Sequence, residues 1–132
     1  MDFTLEQVMS RSPHTVDAAA SIATAHAMLV RLGVRHLPVE HDGEVIGVLS
    51  EREVNLALSL SGDQVAAASV FSLCSKPAYI VEKSEPIALV LRTMAEHRYG
   101  CVLVTEHGRL VGIASASDLM RGMAVWLERE GE

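Results

Sequence analysis

Aromatic residues are scarce in this chain, at 4% of 132 residues with a single Trp. Any core it builds must therefore be aliphatic, drawn from Val, Leu, Ile, Ala and Met, as in α/β layers whose buried strands read as apolar runs. Cysteine is nearly absent as well. Cys74 and Cys101 lie in apolar surroundings without a CxxC spacing, which excludes a disulfide framework and reads as two reduced, buried thiols. No run approaches the ~18 apolar residues of a membrane helix. The acidic start Asp2-Phe3-Thr4-Leu5-Glu6 lacks the basic-then-apolar order of a secretion signal. The expected location is cytoplasmic, with no membrane partner. Clusters of Lys and Arg are missing too, and the net charge is −6. A face able to displace counterions from nucleic acid is thereby excluded, whereas a small phosphate ligand needs only one or two local cations.

What the chain does have is a repeat. With hydrophobic residues at 49% and charged residues at 21%, a packed interior is within reach. Shifting the sequence by 65 residues lays 22–56 over 87–121, with Ile22/Ile87, Ala23/Ala88, Val39/Val104, Gly43/Gly108, Gly47/Gly112 and Ser50/Ser115 identical. That is six identities where chance gives about two. The order of structural signals recurs with them. In the first copy a helix spans Ile22, Ala25, Leu29 and Leu32 and ends at Gly33. A strand over 34–39, a turn over 41–44, a strand over 45–49 and a helix from Ser50 to Leu60 follow. In the second copy Ser84-Glu85-Pro86 opens a helix, with proline in its first turn and Ile87, Val90, Leu91 and Met94 as its stripe. Strands over 99–104 and 110–114, a turn over 106–109 and a helix from Ser115 toward Leu127 complete it. Short strands are expected at Thr15-Val16 and over 79–81, and a helical turn at 64–70.

The fold class expected is α/β (α+β): two tandem βαββα repeats, at 1–62 and 76–132, joined by a connector over 63–75. Neither repeat alone buries its sheet face, so the two should pack as a pseudo-twofold pair.

After the last strand of each copy comes the informative phrase. The two run Gly47-Val48-Leu49-Ser50-Glu51-Arg52-Glu53 and Gly112-Ile113-Ala114-Ser115-Ala116-Ser117-Asp118. A glycine inside a strand lets a backbone or a ligand approach closely. A hydroxyl at the strand-to-helix corner is then followed, three residues on, by a carboxylate. Two readings stay open. Ser-x-x-Glu is a capping box that needs no ligand. Equally, helix-start amides attract phosphate and a carboxylate held there accepts the hydroxyls of a ribose.

These phrases, together with Arg35-His36-Leu37-Pro38-Val39 and the Asp42-Gly43 turn, resemble a cystathionine-beta-synthase (CBS) domain pair, over about residues 8–120. The resemblance implies a non-catalytic regulatory module with a cleft between its repeats for AMP, ADP, ATP, S-adenosylmethionine or another adenosyl ligand, no required cofactor, and a homodimer formed through helices. Carried over by motif, the ligand-binding set would be Thr15, Val16, Arg35, His36, Leu37, Pro38, Ser50, Arg52 and Glu53 in the first half. In the second half it would be Tyr79, Ile80, Gly100, Cys101, Val102, Ser115, Ser117 and Asp118. Ser115 and Asp118 fit the phosphate and ribose roles of the family motif. Glu53 departs from it by one methylene, while Arg52 supplies a cation where the other copy has Ser117.

Other chemistries find little support. His14, His26, His36, His41, His97 and His107 show no HxH or HxxxH spacing, and His41 and His107 sit in corresponding turns, so no metal site is expected. Ser50 and Ser115 head helices without a Gly-x-Ser-x-Gly elbow, and Cys101 reads as core, so no enzyme is expected. The competing reading is a ligand-free interaction or scaffolding module, in which both motifs are caps. Leu89, Met28 and Val30 lie off their helices' apolar stripes and favour a homodimer.

Overall fold

A computed structural model describes residues 2–131. In chain order the elements are α1 (Leu5–Val8), β1 (Ser10–Arg11), β2 (Val16–Asp17), α2 (Ile22–Leu32), β3 (His36–His41), β4 (Glu44–Ser50) and α3 (Glu51–Ser61). There follow α4 (Asp63–Ala66), α5 (Val70–Leu73), β5 (Ile80–Glu82), α6 (Ile87–His97), β6 (Cys101–Glu106), β7 (Arg109–Ser115) and α7 (Ala116–Glu130). The mixed α+β class and the double repeat expected from the sequence are present.

Two compact units divide the chain: residues 14–78, and residues 1–13 together with 79–132. These boundaries differ from those of the sequence repeats, for a reason visible in the sheets. In the first-named unit β2 pairs in parallel with β3, and β3 pairs antiparallel with β4. In the other unit β5 pairs in parallel with β6, β6 antiparallel with β7, and β1 adds to the far edge of β7. β1 therefore belongs by sequence to the first repeat but completes the sheet of the second. The converse holds for residues 74–75. Ser75 exchanges two backbone hydrogen bonds with Val48 of β4, at 3.0 and 2.9 Å. The 65-residue shift superposes these contacts, since Ser10 opposite Ile113 corresponds to Ser75 opposite Val48. Each repeat thus begins with a short helix and an edge strand that dock on the sheet of the other. The expected connector, 63–75, is in part the leading segment of the second repeat.

This docking explains the strand glycines. A Cβ at Gly47 would lie 2.5 Å from the Ser75 carbonyl oxygen, and one at Gly112 would run into the Met9 side chain. The close approach that glycine permits is made by the leading segments, so neither glycine is reserved for a ligand.

Local chemistry sets the element ends. Ser21 caps α2 by accepting the Thr24 N–H at 3.1 Å, and Gly33 ends it in the left-handed region with φ of 65°. Its counterpart at the end of α6 is Arg98, also left-handed at φ of 57°. Proline begins α6 differently from expectation: Pro86 is the N-cap, outside the first turn. Both hairpins turn over two residues in the left-handed region, Asp42-Gly43 and His107-Gly108, so each strand runs one residue into the expected turn. His107 accordingly matches Asp42, and His41 matches Glu106, correcting the pairing of histidines expected above.

Two aliphatic cores result. Val16, Ile22, Ala25, Leu29, Leu37, Val39, Leu49, Val54 and Val70 fill one unit, and Leu5, Val90, Met94, Val102, Val104, Ala114 and Leu119 fill the other. Leu5 lies in the second core because α1 is docked there. Lys83 ties the same segment down at the surface, bonding Glu6 at 3.0 Å and Glu106 as well. Hydrogen bonds to Glu106 and Glu6 hold the Lys83 ammonium above the usual lysine range, and Lys83 in turn holds the Glu106 carboxyl below the usual carboxylate range.

Candidate functional site

Both Ser-x-x-acid phrases sit where a strand hands over to a helix, and both form complete capping boxes. Ser50 Oγ accepts the Glu53 N–H at 3.1 Å while Glu53 Oε1 accepts the Ser50 N–H at 3.1 Å. In the other unit Ser115 Oγ accepts the Asp118 N–H at 3.0 Å and Asp118 Oδ2 accepts the Ser115 N–H at 2.9 Å. A further amide of each helix start is spent on the residue leading into the neighbouring strand. Glu51 N–H donates to the Arg35 carbonyl at 2.8 Å, and Ala116 N–H to the Gly100 carbonyl at 2.9 Å. The caps leave the amides of Arg52 and Ser117 unused, and both residues are exposed.

The two corners differ in how their carboxylates are used. Glu53 is nearly saturated: besides its cap bond, Oε1 accepts the Ser50 hydroxyl at 2.9 Å and Oε2 accepts the Ser75 hydroxyl at 3.1 Å. The extra methylene that departs from the family motif is what carries Glu53 to Ser75 on the docked segment. Asp118 is shorter. Its Oδ1 accepts from Arg121 Nη1 at 3.3 Å, across one helical turn, and no bond joins it to the Ser115 hydroxyl proton. An exposed pair of this kind is weak and exchangeable.

The residues expected to bind ligand divide between the units. In residues 14–78, Arg35 and His36 stand beside Ser50, with His36 directly opposite it in register, and Arg52 and Glu53 follow in the same corner. In the other unit Gly100 and Cys101 stand beside Ser115 in the same way, followed by Ser117 and Asp118. Thr15 immediately precedes β2 and Pro38 lies within β3, while Tyr79 immediately precedes β5 and Ile80 opens it. Five of the expected residues are buried, Pro38 of β3 among them. Val16, Leu37 and Val102 are 3%, 1% and 0% exposed within their cores, so their side chains belong to packing. Cys101 is also buried, at the first position of β6 and not mid-strand. Burial pushes the Cys74 thiol up, away from thiolate chemistry.

Sequence reasoning missed four residues. Tyr99 stacks on Tyr79 with ring centroids 5.0 Å apart, and His97 stacks on Tyr99 at 5.1 Å, a ladder of rings beside Gly100. Arg121 was available from helical spacing, three residues beyond Asp118. Ser75 was not, because 22 positions separate it from Glu53.

Comparison with known proteins places these corners in context. The family model for the CBS domain matches the chain twice, over residues 5–60 and 70–125. A crystal structure of a putative acetoin utilization protein (AcuB) from Vibrio cholerae is 25% identical, with a TM-score of 0.79 over 100% of this chain and 98% of that one. The CBS domain pair of protein MJ0100, solved in complex with 5-methylthioadenosine and S-adenosyl-L-methionine, shares the fold at a TM-score of 0.79 and 21% identity, covering 92% and 95% of the two chains. CBSX2 in complex with AMP does so at 0.74 and 23%, covering 96% and 99%. The chain spans only 22% and 23% of the length of two curated relatives it matches, an L-aspartate semialdehyde sulfurtransferase of Methanocaldococcus jannaschii and a homoserine O-acetyltransferase of Methanococcoides burtonii, to which it is 23% and 25% identical.

Proposed function

The chain belongs to the CBS domain family, with two copies of the domain in tandem, and from that premise we propose that it is a non-catalytic regulatory module that senses an adenosyl ligand. The observation that carries this reading is the corner at Ser115 and Asp118. It offers an exposed amide at Ser117, a serine hydroxyl not donated to the adjacent carboxylate, and a carboxylate held on one side only by an exposed arginine. A phosphate or carboxylate fits the first two and a ribose diol fits the third. AMP and S-adenosylmethionine, bound by proteins of the same fold, carry these groups. The corner at Ser50 is the poorer candidate, since the Glu53 carboxylate already accepts three hydrogen bonds, two from Ser50 and one from Ser75. Arg52 there would add a cation for further phosphates.

The test is a melting experiment with AMP, ATP, S-adenosylmethionine and NAD. A ligand present at a hundredfold excess over its dissociation constant should stabilise the fold by ~2.7 kcal/mol, several degrees in melting temperature. Flat curves with every adenosyl ligand at millimolar concentration would favour the second reading, a ligand-free interaction module. A specific observation supports that alternative: both motifs already satisfy themselves as caps.

A homodimer goes with either reading. Leu89 is 48% exposed and Val30 67%, as expected, whereas Met28 packs against its own core. An apolar groove of about 480 Å³ lies between α6 and α7, lined by Leu91, Tyr99, Met120, Met123 and Leu127 among others. Covering such a face by a twofold pairing is the commonest solution. Sedimentation should return twice the 14.2 kDa chain mass. A monomer persisting at high micromolar concentration would sink the pairing. A cytoplasmic site of action belongs to the same reading; among the described residues no helix is long and apolar enough to cross a membrane.

A further inference from the structure

We propose that occupancy of the Ser115/Asp118 corner is transmitted to the amino-terminal segment, residues 2–12, through the Asp118–Arg121 pair. The inference deepens the ligand reading above and rests on it.

Asp118 is shared by three structures at once. Oδ2 caps α7, Oδ1 holds Arg121, and both residues line a cavity of about 540 Å³ between α7 and the amino-terminal segment. Phe3, Gln7 and Val8 form one wall of this cavity, and Val125, Trp126 and Arg129 the other. Phe3 and Trp126 face each other across it at 6.4 Å, and Gly122 gives Val8 and Phe3 room to lie against the helix. The positions aligned with this set in the other repeat are Leu56 for Arg121, Ser61 for Trp126 and Ala68 for Phe3. The cation and both rings are thus particular to the unit that carries Asp118.

The unit lacking them couples its motif acid to its docked segment directly, by the Glu53–Ser75 hydrogen bond at 3.1 Å. In both units, then, the motif carboxylate has a second partner that belongs to, or packs under, the exchanged segment. A ligand diol that takes Oδ1 of Asp118 must displace Arg121, which returns a free guanidinium to the cavity wall beneath residues 2–8. Leu5 and Met9 anchor the segment in the core, whereas its far end, residues 10–12, and its surface side chains are held by removable contacts. These are a two-residue ladder on β7, the Ser12 N–H to Val111 carbonyl bond at 3.0 Å, and surface ion pairs from Glu6 to Lys83 and Arg11. Beyond the buried Met9, a stretch secured this lightly frays more readily than the core and responds to a small bias.

Amide exchange at Ser12 and emission from Trp126, the only tryptophan, read the segment and the cavity separately. In the ligand-free full chain, Arg121→Met leaves the capping box whole and should speed exchange at Ser12 by roughly two- to fivefold. The Ser75 amide, bonded to Val48 in the other unit, should stay unchanged as the internal control. Saturating AMP or S-adenosylmethionine, with binding verified by calorimetry, should shift Ser12 exchange and Trp126 emission in the wild type. In Arg121→Met the same ligand should bind and shift neither. Binding without any change at Ser12 in the wild type would overturn the coupling and leave the ligand reading intact. Unaltered Ser12 exchange in ligand-free Arg121→Met would overturn it too. If neither compound binds, the ligand reading falls and the coupling falls with it.

Discussion

Gly47→Ala should destabilise the fold by ~2–4 kcal/mol, while Gly112→Ala costs less. A Cβ at position 47 would meet the Ser75 backbone oxygen at 2.5 Å, the Lys76 Cγ at 3.1 Å and the Cys74 Sγ at 3.2 Å. A carbonyl oxygen cannot swing aside as a side chain can, so the docked segment must lift from β4. Overpacking of this kind costs ~1–3 kcal/mol. Straining the two Val48–Ser75 hydrogen bonds adds ~0.5–1.5 kcal/mol for each one lost. At Gly112 the obstacle is the Met9 side chain, whose Sδ and Cγ can leave by a change of rotamer, so that only its Cβ stays close, at 3.2 Å. Urea unfolding of both variants measures the difference as a change of midpoint at constant slope. A Gly47→Ala protein within ~0.5 kcal/mol of wild type, or a Gly112→Ala protein that loses more, would contradict the account of these glycines as docking positions.

Asp118→Asn separates capping from binding at the second corner. As a cap residue alone, the substitution should cost at most about 1 kcal/mol of stability, with no effect on any ligand. As a ribose acceptor, it should weaken adenosyl-ligand affinity by ~1.5–3 kcal/mol, roughly tenfold to over a hundredfold. A 2′-deoxy ligand should bind the wild type poorly and lose little more in the variant, as coupled groups do in a double-mutant cycle. Glu53→Gln should alter ribose preference less, because both oxygens of Glu53 are already engaged. Calorimetry that finds affinity and ribose preference unchanged in Asp118→Asn would make this carboxylate a cap and nothing more.

Much of this architecture was legible in the residues. The long helices α2, α6 and α7, the paired strands β3/β4 and β6/β7, and the two capping corners all follow from local signals: apolar period, left-handed turn residues and Ser-x-x-acid spacing. Where the sequence misled, the cause was an interaction over distance. α1 and β1 are too short to show a period, and their role depends on β7, about a hundred positions later. Gly47 and Gly112 stood out as open strand positions, yet only the docked Ser75 and Met9 reveal what fills the opening. Val16, Leu37 and Val102 lie in motif stretches, but strand alternation within each sheet turns their side chains inward. The partners of the two motif acids show the same division. Arg121 is one helical turn away and readable, whereas Ser75 arrives from another element altogether.

The reciprocal docking of leading segments also governs the order in which the molecule can assemble. A ribosome releases Ser10 long before it has made Ile113, its partner in the sheet. During synthesis α1 and β1 therefore wait without the surface that receives them, and β4 waits for Ser75 to cover its outer edge. An unpaired strand edge is a template for pairing with other chains, and long-range pairing is slow to form. Although the sequence is written as two successive copies, neither copy can finish folding before both have been translated.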